Sequence, residues 1–184
     1  MLDSEYIASM SRHNPMAVRR SSVPPPYTVM VVCTGNICRS PMAEVVLRDR
    51  FARAGLADQV VVDSTGISDE EHGRPIDRRA RAVLVAHGYE PGDGHRARQV
   101  RASDLPSRDL VLAMTSAHAQ ALRRLADREV HMYRSFDPDA PVGRAEHALD
   151  VDDPWYGDSE DFEACLAQVE AAADGIVAYV RRTL

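Results

Sequence analysis

The stretch VVCTGNICRS, Val31 to Ser40, sets a thiol at Cys33 and a guanidinium at Arg39, with Gly35 and Asn36 between them. A glycine lets backbone amides close around an anion, and an arginine offers a planar fork whose parallel N–H bonds match two oxygens of a phosphate. If a helix starts just after the loop, its first amides and its dipole add positive potential at the same place. That field also acts on the cysteine. A free thiol titrates near ~8.5, but beside a cation at a helix N-terminus the value falls to roughly 3.5 to 7.5, so Cys33 is expected as a nucleophilic thiolate. Taken singly, a cysteine at a strand end is usually a small buried hydrophobe and a loop arginine is usually solvated. Joined as cysteine, five residues and Arg-Ser between a strand and a helix, they are far more specific.

Such a loop needs elements that hold its two ends. Tyr27 to Val32, YTVMVV, is β-branched and apolar without polar alternation, which suits a short strand covered on both faces. Ser40 and Pro41 read as the N-cap and first residue of a helix whose apolar stripe is Val45, Val46 and Leu47 and whose stop is Gly55. Val60 to Gly66 reads as a second strand, Pro75 to Gly88 as a helix, and Arg108 to Met114 as a third strand. SAHAQALRRLADR is a further helix, EVHMY a fourth strand, and Ser159 to Leu184 a long C-terminal helix. This alternation predicts an α/β chain: a single-domain three-layer doubly wound sandwich with a four-stranded parallel sheet, helices on both faces and right-handed crossovers. In such folds the ligand lies outside the carboxyl ends of the strands, where Cys33 falls.

A chain of 184 residues suffices for one domain with a full core. The net charge of -6 argues against general nucleic-acid affinity, and no apolar run of about 18 residues is present to span a membrane. All 22 basic residues are arginine, so any phosphate is held by arginine and backbone amides, and lysine chemistry is excluded. Three cysteines, Cys33, Cys38 and Cys165, lack disulfide spacing and fit a reducing cytoplasm. Cys33 and Cys38 without a second Cys or His pair make a poor zinc site, so no metal and no cofactor is expected. Residues 1–25 are polar, rich in Ser and Pro, and aperiodic; they are expected to be a disordered extension rather than a secretory signal, ahead of a domain at 26–184.

VCTGNICRSPMAE resembles the signature loop of the low-molecular-weight protein tyrosine phosphatases, and DPWYGDSEDFE, Asp153 to Glu163, resembles that family's DPYYG segment. The resemblance runs from Tyr27 to the C-terminus. It implies that Cys33 attacks phosphorus to form a phosphocysteine and that Arg39 and the amides of Thr34, Gly35, Asn36, Ile37 and Cys38 hold the phosphoryl oxygens. It implies too that Asp153 is the acid for the leaving phenolate and then the base for water. Asp152 is the adjacent rival, set aside by the Pro154 alignment. Asp150, Asp152 and an anionic Cys33 are expected to oppose ionisation of Asp153. Ser40 corresponds to a hydroxyl on the thiolate, Asn36, Ser64 and His95 to a polar network bracing the loop, and Cys38 to a neighbour that captures an oxidised nucleophile as a disulfide. Cys165 reads as core.

The family's substrates are tyrosine-phosphorylated proteins or peptides, and a monomer or weak homodimer is expected. Trp155 and Tyr156 follow the acid and would wall the slot for the ring. Ile37 stands where related phosphoarginine phosphatases carry threonine, which favours phosphotyrosine. Asp69, Glu70 and Glu71 make the opposite rim acidic, where relatives often have an aromatic residue, and Thr115 stands where they tend to have an acid. The rivals are a phosphoarginine phosphatase, a thioredoxin-linked arsenate reductase, which needs two further cysteines not found between Cys38 and Cys165, and a non-catalytic phosphate-binding module.

Overall fold

The computed structural model describes residues 24–141, 143 and 145–184. Of the expected N-terminal extension, residues 1–23 lie outside the described residues. Four strands, β1 (Tyr27–Cys33), β2 (Val60–Gly66), β3 (Leu110–Ala113) and β4 (His131–Met132), form one parallel sheet in the order β2-β1-β3-β4. The order reverses between β1 and β3, so the carboxyl end of β1 opens at the topological switch point of the sheet.

The helices are α1 (Arg39–Arg53), α2 (Arg78–Ala86), α3 (Ser116–Leu125) and α4 (Ser159–Thr183). Residues of β1 alternate between two cores. Val29, Val31 and Cys33 join α1, α2 and α4, whereas Met30 and Val32 join Ala119 and Leu122 of α3 and Leu105 of a short 3-10 turn. This is why the strand reads as continuously apolar: both of its faces are roofed by helices. Burying each such side chain contributes about 1.5–3 kcal/mol. Among the described residues no helix is long and apolar enough to cross a membrane.

Local boundaries differ from expectation for identifiable reasons. Helix α1 starts at Arg39, and Ser40 makes no N-cap bond because its hydroxyl is engaged elsewhere. Helix α2 starts three residues late, where the Asp77 carboxylate accepts from the Arg79 amide at 2.8 Å. Strand β4 keeps only two residues. Tyr133 turns instead into a 3-10 helix that buries its whole ring and lets its hydroxyl donate to the Val169 carbonyl of α4 at 3.2 Å. The stop at Gly55 holds: α1 ends at Arg53 and Gly55 follows at φ 73°.

Helix α4 lies close against the Tyr133–Phe136 turn at one point, since a Cβ on Gly175 would meet the Phe136 carbonyl oxygen at 2.0 Å. Gly175→Ala gains about 1 kcal/mol of helix propensity but forces two backbones apart. The expected balance is a loss of about 1–2 kcal/mol, read as a melting temperature several degrees lower. An unchanged or raised melting temperature would show that helix and turn separate freely.

Candidate active site

Strand β1 delivers Cys33 to the sheet edge, and the next five residues turn so that α1 can start at Arg39. Gly66, paired with Cys33 at the end of β2, makes room for this turn: a Cβ there would stand 2.4 Å from the Thr34 carbonyl oxygen and 3.1 Å from the Asn36 nitrogen. Asn36 adopts the left-handed conformation at φ 60°, which asparagine tolerates better than other side chains.

The buried Asn36 side chain is fully engaged. Its Nδ2 donates to Ser64 Oγ at 2.8 Å and Ser40 Oγ at 3.0 Å, and its Oδ1 accepts from the Arg98 amide at 3.0 Å. His95 Nε2 lies 2.8 Å from the Asn36 carbonyl oxygen. Ser64 in turn donates to Glu44 at 2.5 Å, a buried carboxylate that also pairs with Arg48. Asn36, Ser64 and His95, named from the sequence, therefore lie in one bonded network, joined by Glu44, which was not. Glu44 carried a readable signal: it lies within the run Met42, Ala43, Val45, Val46, all of them buried.

Two donors converge on the nucleophile position. Ser40 Oγ lies 3.0 Å and the Asn36 amide 3.3 Å from Cys33 Sγ. Ser40 Oγ also lies 3.2 Å from the Thr65 carbonyl, and its single proton serves one acceptor at a time. When sulfur is anionic the hydroxyl has reason to point there. Among the described residues, no protein acceptor meets the amides of Gly35, Ile37 or Cys38, which leaves them to face an anion.

Arg39 is 6% exposed at its side chain, and three bonds fix its head. Nη1 donates to the Val151 carbonyl at 3.3 Å, and Nη2 donates to Thr34 Oγ1 at 3.2 Å and Asp153 Oδ2 at 2.6 Å. Asp153 caps a short 3-10 turn, its Oδ1 accepting from the Trp155 amide at 3.2 Å. The two neighbouring carboxylates expected to crowd Asp153 are bonded to other elements. Asp150 accepts from the Ser116 amide at the start of α3, and Asp152 accepts from Gln168 of α4 at 2.8 Å. Arg39 is the charged group that Asp153 meets, and Asp152, the rival acid, is turned away.

Thr115 caps α3 by accepting from the His118 amide. His118 itself is buried, with Nε2 2.9 Å from Thr34 Oγ1, and sequence reasoning missed it. Its signal was spacing, since it falls four residues before buried Leu122 on the inward stripe of α3. Cys38 is buried beside the loop, and burial, reinforced by Asp77, pushes its thiol well up, so it is a neutral neighbour of Cys33. Cys165 is fully buried in α4, and burial raises it to about 12.

The loop floors a cleft of about 190 Å³ walled by Glu70 and Glu71 on one side and by Asp153, Trp155 and Tyr156 on the other. Trp155 is 37% exposed and Tyr156 95%, so the aromatic wall is one partly covered ring and one projecting ring. Of the residues expected to contact substrate, Thr34, Gly35, Ile37, Cys38, Trp155 and Tyr156 line this cleft with Cys33, Arg39 and Asp153; Asn36 and Ser40 do not line it and stand behind the loop with Ser64 and His95.

A doubly wound sheet with a thiol, an arginine and amides cradling one point at the switch position defines the class of cysteine-dependent phosphate-handling enzymes. The family model for low molecular weight phosphotyrosine protein phosphatase matches residues 28–184. A low molecular weight protein-tyrosine-phosphatase of Streptomyces coelicolor is 48% identical over 160 residues, covering 84% of this chain and 94% of the relative. Low molecular weight protein-tyrosine phosphatase A of Mycobacterium tuberculosis is 46% identical over 161 residues, with 86% and 94% covered. Among solved structures, YfkJ from Bacillus subtilis superposes with a TM-score of 0.78 at 30% identity, covering 88% of this chain and 98% of that one. The chain belongs to the low molecular weight phosphotyrosine protein phosphatase family.

Burial, and then the charge of Arg39, lower the His118 pKa from 6.5 to about 4, so the folded ring stays neutral where an unfolded one is protonated. As pH falls from 6.5 towards 4 the unfolded chain takes up a proton the folded chain refuses, and stability is lost through that window. The loss reaches roughly 3 kcal/mol at its lower end. His118→Asn is expected to flatten this part of the stability–pH curve relative to the parent, measured by urea midpoints at several pH values. Parallel curves for the two proteins would mean that His118 takes up its proton in the folded state.

Proposed function

We propose that this protein is a tyrosine phosphatase that hydrolyses phosphotyrosine in proteins or peptides through a phosphocysteine. The observation that carries the reading is the convergence on Cys33 Sγ of the Ser40 and Asn36 donors, with Arg39 and Asp153 joined at 2.6 Å in the same cleft. The Cys33 thiolate attacks phosphorus, and the S–P bond forms as the bond to the phenolic oxygen breaks. Loop amides and the Arg39 fork take the phosphoryl oxygens. Asp153 gives its proton to the departing phenolate, then accepts one from the water that cleaves the S–P bond and releases inorganic phosphate. Ser40 donates to the sulfur as it leaves.

Family membership and the aromatic wall support phosphotyrosine as the substrate. Ile37, buried and lining the cleft, presents no polar group to a phosphorylated guanidine. An arsenate reductase would have to relay a disulfide to a third thiol, and Cys165 is sealed inside α4. A purely binding module has no use for a thiol and an acid held over one loop.

Cys33→Ser is expected to keep oxyanion binding and lose turnover of aryl phosphates; appreciable residual hydrolysis would remove the covalent route. Asp153→Ala should lower kcat/KM, which reports phosphocysteine formation, by about 10²-fold or more with phosphotyrosine, and much less with an aryl phosphate whose leaving group needs no proton. Equal losses on both substrates would take the acid's role away from Asp153.

A further inference from the structure

Four partners converge on one arginine outside the reacting groups. Arg79, in the first turn of α2, lays its guanidinium over the Phe162 ring at 4.6 Å and the Trp155 ring at 5.6 Å. Its Nη1 donates to the Gly157 carbonyl at 3.0 Å, on the far side of the turn that Asp153 caps. Its Nε and Nη2 donate to the two oxygens of Asp77 at 3.1 and 3.3 Å. The Asp77 amide then donates to the Ile37 carbonyl of the phosphate loop at 2.8 Å. A continuous strap thus runs from the loop that holds the phosphate to the segment that carries the acid and the aromatic wall.

We propose that Arg79 is a positioning residue for the reaction: through Gly157 and Trp155 it holds the Asp153–Tyr156 segment over the Cys33 loop, in the register that proton transfer and ring stacking need. This rests on the reading of Asp153 as the acid. Apart from Arg39, whose bond to Asp153 substrate competes for, and Gln168, which holds Asp152 towards α4, the segment is fixed by backbone amides near its two ends. The Val151 amide donates to the Met114 carbonyl at 2.8 Å, and the Asp158 amide donates to Asp161 of α4 at 2.8 Å. Among the described residues, Arg79 is the side chain that ties Trp155 and Gly157 back to the side of the cleft where the loop lies. The strap demands arginine, because its planar fork serves two acceptors in different directions while its face covers two rings, and an ammonium group does neither. The pair stays charged over the working range. Burial alone would raise Asp77, but the Arg79 side chain and the amides of Arg79 and Ala80 lower it on balance.

The test uses the full chain with Arg79→Met and Arg79→Lys, assayed on phosphotyrosine, phenyl phosphate and 2,4-dinitrophenyl phosphate, with orthovanadate inhibition as a measure of the loop alone. Expected are a fall in kcat/KM of about tenfold for the two substrates whose leaving group needs a proton, a change within about threefold for the dinitrophenyl ester, and vanadate affinity within about twofold of the parent. Lysine should not rescue. Trp155 is the single tryptophan of the chain, so its emission reports the same change and should shift to the red in both variants as the ring loses its cover. Equal losses on all three esters, or losses matched by weaker vanadate binding, would overturn the proposal and make Arg79 a structural residue of the whole cleft. So would full activity in Arg79→Lys. If Arg79→Met does not fold, the Lys variant reads the same leaving-group dependence. A parent protein that hydrolyses none of the esters would instead overturn the function reading, which separates the two failures.

Discussion

The left-handed turn at Asn36 is the constraint on which the site depends. Without it the chain would leave β1 and run straight on, and the amides between Cys33 and Arg39 would not face a common centre. Holding a residue with a Cβ at φ 60° is unfavourable by of order 1 kcal/mol. Hydrogen bonds to the side-chain amide, each worth about 1 kcal/mol net, outweigh that strain only while all their partners are present. Those partners come from α1, from β2 and from the Arg98 amide beyond α2, so the loop is correct only after the sheet and α1 have assembled. The site is in this sense a product of the tertiary fold and not of the local sequence.

Electrostatics follow the same nested arrangement. The chain carries a net charge of -6, yet the centre of its cleft is a concentrated positive field of amides and a single buried guanidinium. Buried acids stand behind the cradle and exposed acids at its rim. Glu44 is tied into the Ser64 network and paired with Arg48, while Glu70 and Glu71 face the cleft mouth. Glu71 packs its stem over the loop, where a Cβ on Gly35 would come within 3.1 Å of its Cγ. The glycine in the signature therefore leaves room for the side chain that covers the loop.

Much of this was legible in the sequence where one physical signal acted alone. The continuous apolar run of β1 gave a strand buried on both faces, and Gly55 ended α1 where a left-handed residue was needed. Reading failed where a residue had two uses. Ser40 reads both as an N-cap and as a hydroxyl on the sulfur, and only the cap is missing, because that hydroxyl is taken by sulfur and by Thr65. Tyr133 has strand propensity, yet burying its ring against α4 overrode it. Asp150, Asp152 and Asp153 are neighbours in sequence, and only coordinates could show that successive loop residues point to α3, α4 and Arg39 in turn. Polar residues on inward helix faces, His118 and Glu44, were hidden because pattern reasoning assigns charge to the surface.

The contact between Arg39 and Asp153 shows how the resting site differs from a working one. One guanidinium nitrogen, Nη2, already serves both Thr34 and Asp153. A phosphoryl group bound by the fork at Nη2 competes with the Asp153 carboxylate and the Thr34 hydroxyl for its two N–H groups. Displacement of Asp153 would leave it tied by its Oδ1 to the Trp155 amide, with the freed Oδ2, once protonated, able to pass that proton to the leaving oxygen. On the proposed reading of Asp153 as the acid, the carboxyl need not swing in from solvent. It is already at the site, kept there by the arginine that substrate will claim, and the Trp155 turn fixes where it stands once released.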